Sequence, residues 1–257
     1  MSEQTFASGT FRPDPGRASL ARILGVQALT ETKLALRNGE QVLLTLLIPI
    51  VLLIGLDLVG FIPVPAPRID TIAPRILALA IMSSAFTSQA ISLGFDRRYG
   101  VLRRLAATAV PRWSIVGGRM LAALAVVIIQ LVVLSVIALL LGWSPAASGI
   151  PAAVLLVLLG TAAFGALGVL LGGAVRAEIV LAVANLVWFV LLLAGGIAVG
   201  ARDGFAAIVN FLPSGALAEG LHTALASGGW PGWQPIAVLA VWALAAGGLA
   251  TRTTRFV

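Results

Sequence analysis

Long apolar runs with very few charged residues constrain this chain more than any other feature of its sequence. The first run, from about Gln41 to Ile62, contains LLTLLIPIVLLIGL, and as an α-helix it matches a hydrocarbon core about 30 Å thick. Hydrophobic residues make up 60% of the 257 residues and charged residues 11%, whereas soluble proteins carry about 25% charged residues. Backbone groups inside lipid must be hydrogen-bonded within the protein, which favours helices. The sequence therefore predicts an all-α integral membrane protein.

Six apolar segments form a predicted transmembrane domain over residues 41–250. It follows a cytoplasmic tail, residues 1–17, which lacks the apolar core of a signal peptide, and it precedes a cytoplasmic C-terminus, residues 251–257. Residues 204–233 are interrupted by prolines and glycines, so short interfacial or re-entrant helices on the outer side are expected there instead of a span. The predicted spans are residues 41–62, 73–95, 114–141, 151–174, 179–199 and 235–250.

The positions of the basic residues predict the orientation. Lys and Arg are retained on the cytoplasmic side of membrane proteins. If both termini are cytoplasmic, 14 of the 17 basic residues fall on that side, and Arg68, Arg75 and Arg202 fall outside. The net charge of +7 is explained by this distribution, and the clusters lack the continuous basic face that nucleic-acid binding needs. The sequence predicts a multi-pass protein of the cell membrane with no nucleic-acid partner.

An amphipathic segment precedes the first span, over residues 18–40. Leu20, Ile23 and Leu24 recur at helical spacing, a pattern typical of a helix that lies along the membrane surface and contacts its lipids. An ordinary cytoplasmic helix is the alternative. The polar residues assigned to the interfacial helix are Arg22, Lys33, Arg37 and Asn38.

The sequence contains no recognisable catalytic or metal centre. Its one histidine, His222, lies three residues after Glu219, and a polar helix face explains the pair better than a metal site, since no third ligand is evident. Its one lysine, Lys33, follows Thr32, so the glycine-lysine phosphate loop of an ATP site is excluded. There is no cysteine, hence no thiolate chemistry. The chain is not predicted to be an enzyme by itself, and no cofactor is expected on it.

Polar residues inside the spans are the candidates for a translocation path. The second span should face protein or a cavity, because it is more polar than the others. Asp57 is interpreted either as a solvated group near the membrane surface or as part of the path. The amide side chains of Gln89 and Asn185 are interpreted either as hydrogen-bonding groups between helices or as substrate contacts. No mid-membrane proton relay is evident among these residues. The candidates for the path are Asp57, Ser84, Gln89 and Asn185.

Two glycine pairs predict close helix packing. Gly168 with Gly172, and Gly196 with Gly200, stand four residues apart in the fourth and fifth segments. Small residues at this spacing let two membrane helices approach each other closely.

Three stretches of the sequence carry a family resemblance. Residues 34–56 have an Arg-Asn pair before the first span and a proline, Pro49, within it; residues 95–121 read FDRRYGVLRRLAATAVPRWSIVGGRML; residues 211–225 read FLPSGALAEGLHTAL. Together they resemble the permease subunits of ABC-2 type transporters, the group that includes daunorubicin-resistance and polysaccharide-export permeases. The resemblance covers nearly the whole chain.

The resemblance implies that transport and ATP binding are carried out by different protein chains. It implies that the loop of residues 96–113 forms a coupling helix that docks on a separate ABC ATPase subunit, which binds ATP and Mg²⁺, and that a second permease chain, identical or paralogous, completes the transporter. The alternative for the loop is that its arginines only enforce topology. The residues assigned to ATPase coupling are Asp96, Arg97, Gly100, Leu102, Arg103, Arg104, Leu105, Thr108 and Arg112.

The expected function is ATP-driven export of a hydrophobic or amphipathic cargo, drug-like or lipid-like, across a bacterial inner membrane. A membrane-embedded assembly or scaffold protein without transport activity is the alternative from another class. A stoichiometric ATP-binding partner would distinguish the two.

Overall fold

The structure, a computed structural model, describes residues 19–59, 67–107, 112–195 and 209–253. The predicted tail, residues 1–17, lies outside these ranges, as do residues 254–257. The described residues form helices joined by short turns, with no strand among them. The α-helices are Leu20–Arg37 (α1), Gly39–Val59 (α2), Arg68–Met82 (α3), Ser88–Arg98 (α4), Val101–Ala106 (α5), Arg112–Leu140 (α6), Ile150–Ala174 (α7), Ala177–Ala194 (α8), Pro213–Ser227 (α9) and Trp233–Thr253 (α10).

Five helical segments of the described chain are long and apolar enough to cross a membrane. They correspond to the second to sixth predicted spans: Arg68–Arg98, Ser114–Leu140, Ala147–Ala174, Ala177–Ala194 and Trp233–Arg252. The first predicted span corresponds to α2, whose apolar part, Thr45–Val59, is shorter than the roughly 20 residues a span needs. The structure thus confirms an all-helical membrane protein, while the count of six spans stays a prediction.

The second span is the central helix of the bundle. A π-helical segment, Ser83–Thr87, joins α3 to α4, so that Arg68–Arg98 runs without a break. In this helix 67% of the most apolar window is buried by the rest of the protein, against 11% in α8. Ser84 of this span is buried, and Ser83, Thr87, Ser88 and Gln89 are half-buried and line cavities, so these polar groups lie against protein or a cavity, as their polarity predicts. Helix α8 lies at the periphery.

The predicted glycine pair of α7 permits its close approach to this central helix. A Cβ atom on Gly168 would lie 2.5 Å from the carbonyl oxygen of Phe86, and one on Gly172 would lie 2.5 Å from that of Ala90. Real Cβ atoms do not approach so closely, and any larger residue would separate the helices. This pair is confirmed as a packing motif, whereas Gly196 and Gly200 lie outside the described residues.

The proline- and glycine-rich segment before the last helix contains α9. Pro213 stands at its first position, where no backbone N–H is needed, and Gly228 ends it with a φ of 65°. With 15 residues, α9 is about 22 Å long and too short to cross the bilayer. It packs against α3, α7 and α10, and the N–H of Ala146 donates to the carbonyl of Leu225 over 2.8 Å. The segment contains a helix that is too short to span, while its interfacial or re-entrant character on the outer side stays a prediction. Residues 204–208 lie outside the described ranges.

Helix α1 packs along α6. Gly117 and Gly118 of α6 provide the contact surface, because a Cβ on Gly118 would overlap the side chain of Gln27. The other faces of α1 expose both cationic and large apolar side chains, as an interfacial helix would. The exposed residues include Arg22, Lys33 and Arg37 together with Leu20, Val26, Leu29 and Leu36, and Asn38 caps the C-terminus of the helix.

Candidate functional site

The last turn of α4 places three consecutive charged residues at the predicted cytoplasmic end of the bundle. Successive residues of an α-helix point about 100° apart, so Asp96, Arg97 and Arg98 reach in three directions. Each of them contacts a different helix of the bundle. We call these three residues the α4 junction.

Asp96 connects the junction to α6 and, through it, to α1. Arg119 of α6 is 5% exposed, and its Nη2 donates to Oδ2 of Asp96. The guanidinium also lies near Glu31 of α1, with 3.8 Å between Nε and Oε1, and Nη2 lies 3.5 Å from Oγ of Ser92. A buried cation is tolerated when it is paired and hydrogen-bonded in this way. Asp96 therefore faces its own chain instead of the cytoplasm.

Arg97 connects the junction to the end of α7. Its Nη1 donates to the carbonyl oxygens of Gly172, at 2.8 Å, and Val175, at 3.2 Å. The last carbonyls of a helix have no partner inside the helix and carry its negative dipole end. Arg97 thus caps α7, and its side chain is engaged in a contact within the same chain.

Arg98 reaches the first turn of α8. Its Nη1 lies 3.9 Å from Oε1 of Glu178. Both side chains are largely exposed, and ion pairs of this kind contribute little, about 0–1 kcal/mol. This third contact is consequently the weakest of the junction.

A glycine turn carries the chain from the junction to the short helix α5. Gly100 has a φ of 67°, a conformation that residues with a Cβ adopt only at a cost. Within α5, Leu102 is 4% exposed and packs with Leu93, Val169 and Ala250, so it anchors the helix to the bundle. Arg103 and Arg104 are exposed, and Nη2 of Arg104 donates to the carbonyl of Tyr99 over 3.0 Å.

The structure thus divides the residues assigned to ATPase coupling into two groups. Asp96, Arg97 and Leu102 contact the bundle, although the Arg97 side chain is exposed, whereas Arg103 and Arg104 remain available to a partner, together with Tyr99, which is 64% exposed. Thr108 lies outside the described residues, and the side chains of Leu105 and Arg112 are not described.

An open cavity of about 350 Å³ lies between α2, the central helix and α8. Its wall is largely apolar, and Nε1 of Trp188 donates to Oγ of Ser83 over 2.9 Å across it, which holds α8 to the π-helical segment. Asn185 of the predicted path belongs to this wall. The lining residues are Asn38, Thr45, Ile48, Pro49, Ser83, Thr87, Ser88, Ile91, Leu181, Asn185 and Trp188.

A second cavity, of about 260 Å³, lies between α1, the central helix and α6. Its wall combines apolar side chains with the ion-paired groups of Glu31, Asp96 and Arg119. Two residues of the predicted path also line it. Ser84 donates through Oγ to Oε1 of Gln130, and Gln89 has no partner for Oε1 among the described residues. Three of the four predicted path residues are therefore distributed over two neighbouring cavities, which share Asn38, Thr45 and Ser88.

Two further candidates lie away from these cavities. Asp57 is partly buried near the C-terminal end of α2, next to Leu56, whose carbonyl accepts a hydrogen bond of 3.0 Å from Nη2 of Arg68. His222 is half-buried in α9, and burial lowers its pKa despite the opposing charge of Glu219, with Arg75 adding to the decrease. Over the described residues, no cluster of acidic, His or Cys side chains suits a metal ion.

Comparison with models of protein families identifies the family of this chain. A model of the ABC-2 type transporter family matches residues 26–203, well over half of the 257 residues. The chain belongs to the ABC-2 type transporter family. A search of curated proteins found no match. Chains of this family are membrane components of transport and are not catalysts themselves.

The matched region of this ABC-2 permease contains the α4 junction, α5 and every residue that lines the two cavities. Helices α9 and α10 follow it. The family assignment therefore covers the part of the bundle in which the charged and polar groups of the candidate site lie.

Sequence reasoning missed Arg119 as a site residue of the permease. Its charge falls on the cytoplasmic side of the predicted topology, although the residue lies within the predicted third span. The available signal was a charged side chain inside an apolar segment, which marks a functional or structural pair by default. Its acidic partners stand 88 residues before it, at Glu31, and 23 before it, at Asp96, so pairing is not readable from spacing.

The turn at Gly100 yields a stability prediction. A Gly100→Ala permease should unfold at lower temperature, because alanine in the left-handed region costs about 1 kcal/mol, and no neighbouring atom lies within 4 Å of the new Cβ. Thermal unfolding in detergent measures the effect. Gly25→Ala, in an open part of helix α1, is the control and should be neutral or stabilising, since alanine is the better helix former. Equal stability of both variants would contradict the assigned backbone strain.

Proposed function

We propose that this chain is the membrane subunit of an ATP-driven exporter in the bacterial cell membrane, with both termini in the cytoplasm. Two permease chains, identical or paralogous, pair with two ATPase subunits that bind ATP and Mg²⁺. The cargo is hydrophobic or amphipathic, drug-like or lipid-like, and moves outward.

The observation that carries this proposal is the connection of α5 to the bundle. The short helix exposes two arginines, with an exposed tyrosine just before it, and it follows the α4 junction, whose charged groups contact α6, α7 and α8. Arginine and tyrosine are enriched where proteins bind each other, and charge-assisted contacts would suit a partner with acidic groups. A force on α5 would reach three membrane helices through side-chain contacts of the junction.

The cavity between α2 and α8 supports a cargo path. It is lined mainly by apolar side chains with a few polar groups such as Asn185 and Thr87, the composition expected for a binding site of an apolar ligand. Helices α2 and α8 also expose large apolar residues, among them Leu47, Val51, Leu186 and Phe189. Lipid, cargo or the second permease chain would cover these residues.

The test is reconstitution of the permease with its ATPase subunit in vesicles. Arg103→Glu combined with Arg104→Glu should reduce cargo-stimulated ATP hydrolysis at least tenfold, because reversed charges would repel the partner surface that the arginines contact. Arg252→Glu, the same charge reversal at an exposed position of α10, is the control and should leave the stimulation near the native value.

Two results would count against the proposal. If cargo still stimulates ATP hydrolysis to the native extent in the Arg103→Glu, Arg104→Glu variant, α5 is not the coupling element. Failure of any ATP-binding chain to copurify in stoichiometric amount, with no cargo-dependent ATP hydrolysis, would favour the scaffold alternative.

A further inference from the structure

We propose that Arg119 is a positioning residue that transmits movement of the α4 junction to α1, so that the surface helix moves together with the coupling helix. This inference rests on the proposed function. Movement of the ATPase would then displace α1 at the membrane surface as well as the helices that line the cargo path.

The position of Arg119 is the first observation. It lies within the apolar segment Ser114–Leu140, and 6% of its side chain is exposed. A charged group at such a position is unfavourable unless acidic partners compensate it. The partners come from two other helices, Asp96 at the end of α4 and Glu31 in α1. One buried cation therefore joins three helices that are far apart in sequence.

The packing of α1 is the second, independent observation. No residue of α1 is fully buried, so the helix is held by contacts along one face. Those contacts centre on Gly117 and Gly118, immediately before Arg119, where a Cβ would lie 3.0 Å from Cδ2 of Leu24 or would overlap Cγ of Gln27, respectively. Nε2 of Gln27 in turn donates to Oε1 of Glu31 over 3.1 Å. Close packing and charge pairing thus coincide at one point of α1.

Movement of the junction would follow this connection. Asp96 is adjacent to Arg97, which caps α7, and lies only five residues before α5 begins at Val101. A displacement of α5 moves the Asp96 carboxylate, and Arg119 must follow it or lose its stronger partner. Glu31 then moves with Arg119 and carries α1 along. Because all three charged groups line the cavity between α1, the central helix and α6, the shape of that cavity changes in the same step.

Site-directed spin labelling tests the transmission, since the chain has no native cysteine. Labels on Lys33→Cys of α1 and Ser227→Cys of α9, both exposed, report the distance between the surface helix and the opposite end of the bundle. The complex with the ATPase is measured without nucleotide and with ATP plus vanadate. In the native background the distance should change with nucleotide.

Glu31→Gln is the decisive variant, because it removes the α1 acid and leaves the Asp96–Arg119 pair intact. The nucleotide-dependent change should fall at least threefold, while the ATPase still copurifies. Arg119→Met should do the same, and Arg119→Lys should restore part of the change. Glu219→Gln, the same substitution at an exposed acid of α9 that lies outside the junction, should behave as the native chain.

The outcomes separate the two proposals. A native-like distance change in Glu31→Gln would overturn the transmission and leave the exporter assignment standing. Absence of a stably bound ATPase would overturn both, whereas absence of any nucleotide-dependent distance change in the native complex would overturn the transmission alone. If Arg119→Met fails to fold, Glu31→Gln with its Glu219→Gln control decides the question alone.

Discussion

A Gly168→Leu variant is expected to lose the native packing of its membrane bundle. A Cβ at this position would lie 2.5 Å from the carbonyl oxygen of Phe86, 3.0 Å from Cβ of Gln89 and 3.2 Å from the carbonyl oxygen of Ala85. Two of these atoms belong to the backbone of the central helix and cannot move aside as a flexible side chain would. The expected loss is about 3 kcal/mol, the upper end for overpacked cores.

The measurement is thermal unfolding of the purified chain in detergent, together with its monodispersity. Gly248→Leu is the matched control, because Gly248 is exposed on α10 and a Cβ there would meet no atom within 4 Å. A Gly168→Leu variant that unfolds at the same temperature as Gly248→Leu would show that α7 does not pack on the central helix as described.

A Gly149→Ala variant should detach α9 from the loop that precedes α7. The added methyl group would overlap the carbonyl oxygen of Ala224 and lie 2.5 Å from its carbonyl carbon. Since both are backbone atoms of α9, the helix must shift, and the hydrogen bonds from Ala146 N–H to Leu225 and from Ser148 Oγ to Gly228 would be lost with the contact. We expect destabilisation of about 3 kcal/mol that is concentrated in α9.

Hydrogen exchange of the α9 amides distinguishes local detachment from global unfolding. Faster exchange over Pro213–Ser227 with little change in the central helix is the expected pattern. Gly229→Ala serves as the control, because its Cβ meets nothing within 4 Å. Native protection of α9 in Gly149→Ala would contradict the docking of α9 against this loop.

Hydropathy located most of the membrane helices from the sequence. Residues 114–141 and 151–174 are predicted spans, and the structure has helices at Arg112–Leu140 and Ile150–Ala174. These boundaries are readable because apolar length and turn-forming residues act locally. The Gly168–Gly172 pair was also readable, since four-residue spacing places both glycines on one helix face.

The candidate site was only half readable. Asp96, Arg97 and Leu102 stand in a charged loop between two apolar runs, and the resemblance to ABC-2 permeases assigns them to contacts with a partner. In the structure Asp96 pairs with Arg119, Arg97 caps α7 and Leu102 is buried. Which charges face a partner depends on which helices pack near them, and the spacing of residues in the sequence does not reveal that packing.

The sequence by itself determined that this chain is a bundle of apolar helices, and it predicted where most of these helices lie. These properties follow from composition and local order. The tertiary structure alone decided that Arg119 is buried between Glu31 and Asp96 and that the α4 junction contacts three helices. The physical reason is that a buried charge is stable only with its partners in place, and those partners are brought together by folding.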